Sequence, residues 1–310
     1  MENDKIKAIL KQMDNAIVGQ GEISKLLLTA MLAGGHVLLE GVPGVGKTTL
    51  ANVLAKSVGG RFARIQFTPD TMPSDITGTS VYNYEKHTFE YVAGVLMNHI
   101  ILADEINRTS PKTQAALLEA MEEGCVTVDG KTYVLPHPFM VIATQNPVMQ
   151  RGTYYLPESQ LDRFMMKLNV GYPPAEEEMQ IVKNMLAEST TGKMNFVISC
   201  EELEQLIEQT QKVLIKENLI AYATECVRST REHDKVMLGA SPRALLAWVK
   251  AAKAYAFVEG RNFVTPDDLK KLAPVVLAHR LVMIQSTREN DESLEAISEI
   301  LRKVKVPIGK

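Results

Sequence analysis

Gly41-Val42-Pro43-Gly44-Val45-Gly46-Lys47-Thr48 follows the apolar run Val37-Leu38-Leu39 and leads into Thr49-Leu50-Ala51-Asn52-Val53-Leu54-Ala55-Lys56, whose apolar residues recur at helical spacing. Strand, glycine loop and helix in that order predict a phosphate-binding loop. Glycines let backbone N–H groups converge on phosphate oxygens, and the helix N-terminus behind them adds partial positive charge. Lys47 would reach the β- and γ-phosphates, and the Thr48 hydroxyl would bind Mg²⁺. Gly41, Pro43, Gly44, Val45 and Gly46, with Lys47, Thr48 and Thr49 at the helix start, are the expected nucleotide contacts.

Composition sets the bounds around this loop. A length of 310 residues suggests two domains, and 45% hydrophobic residues suffice for packed cores. No apolar run approaches the ~20 residues that span a bilayer, and Met1-Glu2-Asn3-Asp4-Lys5-Ile6-Lys7 lacks the pattern of a signal peptide. Three cysteines without metal-ligand spacing fit a reducing cytoplasm. A formal net charge of −3 gives no global footprint for nucleic acid or anionic membrane. The histidines likewise share no metal spacing.

Downstream of the loop, Ile100-Ile101-Leu102-Ala103 reads as a buried parallel strand that delivers Asp104 and Glu105 at its carboxyl end, where ligands bind in open α/β sheets. Asp104 can hold Mg²⁺ through water, and Glu105 can orient and activate an attacking water. A helix from Pro111 with Ser110 as cap ends at Gly124, and Val126 to Val134 around Asp129-Gly130 predicts a β-hairpin. An earlier hairpin is expected over 82–92. The strand Met140-Val141-Ile142-Ala143 ends in Thr144-Gln145-Asn146-Pro147, which would set Asn146 beside the phosphate loop to hold water or sense the γ-phosphate. Gly171-Tyr172-Pro173-Pro174 marks the expected domain boundary: 1–172 as a nucleotide-binding α/β core, 173–310 as a helical domain. Helices are expected at 175–186, 201–215, 221–231, 242–258 and 266–281, and Ser241-Pro242-Arg243 presents Arg243 at a helix start, placed to reach a nucleotide.

Together the phosphate loop, Leu102-Ala103-Asp104-Glu105-Ile106-Asn107-Arg108, Ala143-Thr144-Gln145-Asn146-Pro147, Leu161-Asp162-Arg163-Phe164 and Ser241-Pro242-Arg243 resemble a MoxR-type AAA+ ATPase over nearly the whole chain. The resemblance implies a parallel five-stranded sheet ordered 5-1-4-3-2, an all-helical lid, and a homo-oligomeric, usually hexameric, ring with ATP between subunits. It makes Asp104 and Glu105 the Walker B pair, Asn146 the first sensor, Arg243 the second sensor and Arg163 the arginine finger, with Arg108 and Arg151 as alternatives for that last role. It assigns the hairpins to the helix-2 insert and the pre-sensor hairpin, and adenine contact to Val18-Gly19-Gln20. Relatives of this type act as chaperones or remodelling motors beside a separate von Willebrand factor A domain protein, in complex maturation or metal-cofactor insertion. A magnesium-chelatase-like or restriction-type motor subunit shares the same inserts, and a non-hydrolysing nucleotide-switched scaffold is the rival from another class. No Asn-Lys-x-Asp motif points to a GTPase, and no appended recognition module points to DNA.

Overall fold

The structure, a computed structural model, describes residues 2–16, 19–41, 46–145, 154–172, 174–186, 196–284 and 291–307. In chain order its elements are α1 Glu2–Ala16, α2 Gly21–Leu32, β1 Val37–Gly41, α3 Lys47–Ser57, β2 Phe62–Gln66, α4 Pro73–Thr77, β3 Gly78–Asn83, β4 Thr88–Ala93, β5 Ile100–Asp104 and α5 Pro111–Glu123. There follow β6 Cys125–Val128, β7 Lys131–Val134, β8 Met140–Gln145, α6 Glu158–Leu161, β9 Met166–Val170, α7 Ala175–Leu186, α8 Cys200–Gln211 and α9 Glu217–Arg231. The last are β10 Val236–Leu238, α10 Pro242–Val258, α11 Pro266–Leu277, β11 Val282–Met283 and α12 Asp291–Lys303.

Five strands form a parallel sheet in the order β2-β5-β8-β1-β9. Read from the other edge this is 5-1-4-3-2 in core-strand numbering, the expected order. β1 is buried along its whole length, and β5 and β8 are buried up to their last residues, which is why they read as continuous apolar runs rather than alternating ones. The chain divides into two compact units: Met1–Lys25, His36–Leu156 and Asn169–Glu204 in the first, Leu26–Gly35, Pro157–Leu168 and Gln205–Lys310 in the second.

Within the first unit, α5 starts and stops as its caps dictate. The Ser110 hydroxyl accepts the Thr113 N–H at 3.3 Å, and Gly124 ends the helix at φ 65°. Both hairpins form. The first begins at Gly78, earlier than its aromatic residues suggest, with Gly78 paired to Ala93. Tyr91 of β4 stacks on Tyr133 of β7 at 3.9 Å between ring centroids, joining the two hairpins.

Gly41 is a glycine because β9 leaves it no room. A Cβ there would lie 2.3 Å from the Val170 carbonyl oxygen, a main-chain atom that cannot swing away. Gly41→Ala should therefore destabilise the fold by roughly 1–3 kcal/mol, read as a lower urea midpoint. Gly171→Ala, where a Cβ meets nothing within 4 Å, should leave the midpoint unchanged.

His36, just ahead of β1, is buried and neutral. The Val141 N–H donates to its Nδ1 at 3.0 Å, so the ring proton sits on Nε2 and is donated to the Met121 carbonyl at 3.2 Å. Burial lowers its pKa from 6.5 to about 4. The unfolded chain thus takes up this proton first: the contribution of neutral His36 is complete above pH 6.5 and is lost as pH falls toward 4, of the order of 3 kcal/mol in all. Unfolding free energy measured between these pH values should show that slope, and His36→Gln should flatten it.

The second unit is largely helical as expected, apart from a short ribbon in which β10 and β11 pair antiparallel, Val236 opposite Met283. α8 also stops at Gln211 rather than running on to 215. Leu214 instead pairs its backbone with the 262–264 segment, its N–H donating to Asn262 O and its carbonyl accepting from Val264 N–H, both at 2.9 Å. Trp248 anchors this core, its indole N–H donating to the Leu269 carbonyl at 2.9 Å. Among the described residues no helix is long and apolar enough to cross a membrane.

Candidate active site

In a parallel sheet the carboxyl ends of β1, β5 and β8 lie together, and each delivers a polar residue there. Glu40 of β1 faces Gln145 of β8 across the ladder, and the Gln145 amide donates to the buried Glu40 carboxylate at 2.8 Å. Gly46 closes the phosphate loop at φ 85°, a left-handed conformation glycine adopts without strain, and acts as N-cap of α3. Lys47 and Thr48 follow in the first turn, half-buried, with Thr49 exposed. The Lys47 ammonium donates to the Gly41 carbonyl at 2.8 Å, so it spans the two described ends of the loop. Its pKa is lowered by partial burial and held up by the charges of Asp104 and Glu105, which places all three groups within electrostatic reach of one another.

Asp104 and Glu105 are held by neighbours rather than left in solvent. Thr144, buried in β8, donates its hydroxyl to Asp104 Oδ1 at 2.6 Å and accepts the Glu105 N–H at 2.9 Å. Arg64 of β2 pairs with Asp104 Oδ2 at 2.7 Å. Gln66, two residues on, accepts from Arg64 and donates to Glu105 Oε2 at 2.9 Å, and Arg108 pairs with the same oxygen at 2.7 Å. Glu105 itself has φ 56° and ψ 49°, a left-handed conformation that costs a non-glycine residue roughly 1–3 kcal/mol and persists only where its surroundings impose it. Bonds to its N–H and to its carboxylate impose it here. Gln114 of α5 fixes the following turn by donating to the Ile106 carbonyl at 3.0 Å.

The oxygen-only donor set of Thr48 and Asp104 fits Mg²⁺. This cation keeps several waters and takes phosphate oxygens, so one or two protein ligands suffice, and among the described residues no cluster of three or more His, Cys, Asp or Glu offers a dedicated cage. Lone pairs remain on a carboxylate that accepts one bond at each oxygen.

Of the residues expected in the site, the first unit brings together Lys47, Asp104 and Glu105, with Thr48 next to Lys47 in the first turn of α3. Gly19 is described, at φ 83°. Val18, Pro43, Gly44, Val45 and Asn146, and the alternative Arg151, lie outside the described residues. Arg108 is engaged with Glu105 of its own chain. Arg163 and Arg243 belong to the second unit. Arg163 sits in the turn after α6, its N–H bonded to the Gln160 carbonyl at 3.2 Å. Arg243 is the second residue of α10, whose cap is the Ser241 hydroxyl accepting the Ala244 N–H at 3.1 Å.

Sequence reading missed Thr144, Arg64 and Gln66. Arg64 and Gln66 stand two apart on one strand, which places both on one face, but their relevance depends on the β2–β5 register that sets Gln66 opposite Asp104.

Residues 36–166 match the ATPase family associated with various cellular activities (AAA), and residues 228–302 match the AAA lid domain. The uncharacterized protein YeaC of Bacillus subtilis is 50% identical over 302 residues, covering 97% of this chain and 94% of YeaC. Chaperone MoxR1 of Mycobacterium tuberculosis is 41% identical, covering 96% of this chain and 81% of MoxR1. A crystal structure of a Cytophaga hutchinsonii protein put forward as an ATPase superposes with a TM-score of 0.91 at 40% identity, over 99% of this chain and 96% of that one. With its sheet order, its two matched domains and relatives that align from end to end, the chain belongs to the MoxR-type AAA+ ATPases.

Proposed function

We propose that this chain hydrolyses ATP as a chaperone or remodelling motor, working in the cytoplasm as a homo-oligomeric, hexameric ring. The observation that carries the reading is the convergence of Lys47, Asp104 and Glu105 at the carboxyl ends of the core strands. Residues 1–172 form the nucleotide-binding core of this proposal and 173–310 the lid.

Lys47 exchanges the Gly41 carbonyl for phosphate oxygens when nucleotide binds. Thr48 and Asp104 would hold Mg²⁺, which would supply positive charge against the phosphates. Glu105, its backbone fixed by Thr144 and its carboxylate by Gln66 and Arg108, orients the attacking water and takes its proton. Asn146 steadies that water, and Val18 and Gly19 contact adenine. Arg163 reaches from a neighbouring subunit to charge developing on the γ-phosphoryl, and Arg243 reports nucleotide state to the lid. The exposed Tyr84 and Phe89 on the first hairpin and Val134 on the second offer apolar contact to a protein client, a reading that the chaperone MoxR1 supports. The partner in complex maturation or metal-cofactor insertion is a separate von Willebrand factor A domain protein.

Purified protein should release phosphate from ATP only with Mg²⁺ present. ATP binding without Mg²⁺-dependent release would replace the motor with a nucleotide-switched scaffold.

A further inference from the structure

Arg280 lies in the tight turn after α11, its side chain 2% exposed, and nothing in the mechanism above uses it. One of its terminal nitrogens donates to two main-chain carbonyls, Phe164 O at 2.8 Å and Asp162 O at 3.2 Å. His279 donates from Nε2 to the same Phe164 carbonyl at 3.1 Å. The residue between those carbonyls is Arg163. Its backbone is therefore gripped on both sides by groups more than a hundred residues away in sequence.

The grip extends further. Arg280 Nε sits 3.2 Å from the Asp162 carboxylate, which also accepts the Ser241 hydroxyl at 3.2 Å. Ser241 caps α10, and Arg243 is the second residue of that helix. All of these residues lie in the second unit, so the chain of contacts is internal to one compact body. Burial, with the positive charge of Arg243 adding to it, lowers the Arg280 pKa to about 10, and the Asp162 carboxylate opposes the shift.

Such a group is an expensive way to fill a core. Two of the guanidinium nitrogens, Nε and Nη1, have no aligned hydrogen-bond partner, and burying an ion pair is often no better for stability than packing apolar side chains of similar volume. What an apolar residue cannot do is hold two carbonyls and face a carboxylate through one rigid, charged group.

We propose that Arg280 is a positioning residue, locking the Asp162–Phe164 segment and the start of α10 into one piece so that Arg163 and Arg243 hold a fixed mutual geometry. The inference rests on the ATPase reading and on the assignment of these two arginines to the nucleotide.

A double-mutant cycle on the full chain tests it. Arg280→Lys keeps the charge and loses the planar fork. It should lower kcat by up to about 10²-fold, as a small displacement of a positioned group does, while KM for ATP changes little. In an Arg163→Ala background the same substitution should cost less than about 3-fold, because residues that act through one another do not add. Asp162→Asn, which keeps shape and removes charge, should repeat the pattern and carries the test if Arg280→Lys melts early. Full, additive loss in the Arg163→Ala background, or an unchanged kcat in folded Arg280→Lys, overturns the positioning role alone. A wild-type chain without Mg²⁺-dependent phosphate release overturns the ATPase reading, an Arg163→Ala variant at the wild-type rate overturns the assignment of Arg163, and either result takes this inference with it.

Discussion

Arg163→Ala should lower the phosphate-release rate by about 10³–10⁵-fold, the range seen where an arginine stabilises the transition state of comparable NTPases. As the γ-phosphoryl leaves, charge spreads over its oxygens, and a guanidinium, always protonated and planar, meets two of them at once. The backbone carbonyls of Asp162 and Phe164 are held at 3.2 and 2.8 Å on either side of the residue. Those bonds involve no atom of the Arg163 side chain, so the alanine variant keeps both of them. A rate within about 3-fold of wild type, far short of the expected range, would hand the role to Arg108 or Arg151 or remove it.

Glu105→Gln should bind ATP with little change in affinity while phosphate release falls by about 10²–10⁴-fold, the usual worth of a general base. Both bonds to the carboxylate, from Gln66 and from Arg108, fall on one oxygen, Oε2. A glutamine can present its amide oxygen to the same two donors, and its backbone keeps the bond from its N–H to Thr144. The variant therefore keeps the local geometry and loses the group that takes the proton. Equilibrium ATP binding and a phosphate-release assay on one preparation check both halves. Normal hydrolysis by a binding-competent Glu105→Gln would remove Glu105 as the base.

How legible all this was in the sequence depended on how local each signal is. Strands β1, β5 and β8 announce themselves because a strand buried on both faces is apolar over most of its length, with buried Glu40 and Thr144 only toward the carboxyl ends of β1 and β8. Helix α5 was bounded to the residue because Ser110 and Gly124 act within one turn of their own positions. Lys47, Thr48, Asp104 and Glu105 carried their chemistry in the order of strand, loop and helix. What the sequence concealed depends on register or on distant contact. Thr144 bridges Asp104 and Glu105 only because β8 lies beside β5. Leu214 left its helix to pair with a segment nearly fifty residues on, which no local propensity reports. Nothing local marks Arg280 within the helix expected over 266–281, because its burial against residues 162–164 comes from contacts more than a hundred residues away. The β10–β11 ribbon was missed for a related reason, since a two-residue strand such as Val282–Met283 is too short to show any periodicity.

An active site completed by an arginine from a neighbouring subunit would make hydrolysis depend on assembly. Mg²⁺-ATPase rate per subunit, measured over a wide range of protein concentration for the wild type and Arg163→Ala, tests it most directly. The wild-type rate should climb with concentration to a plateau, and the variant rate should stay low throughout. Flat and equal rates in the two proteins would contradict that dependence, because each chain would then be completing its own site without Arg163.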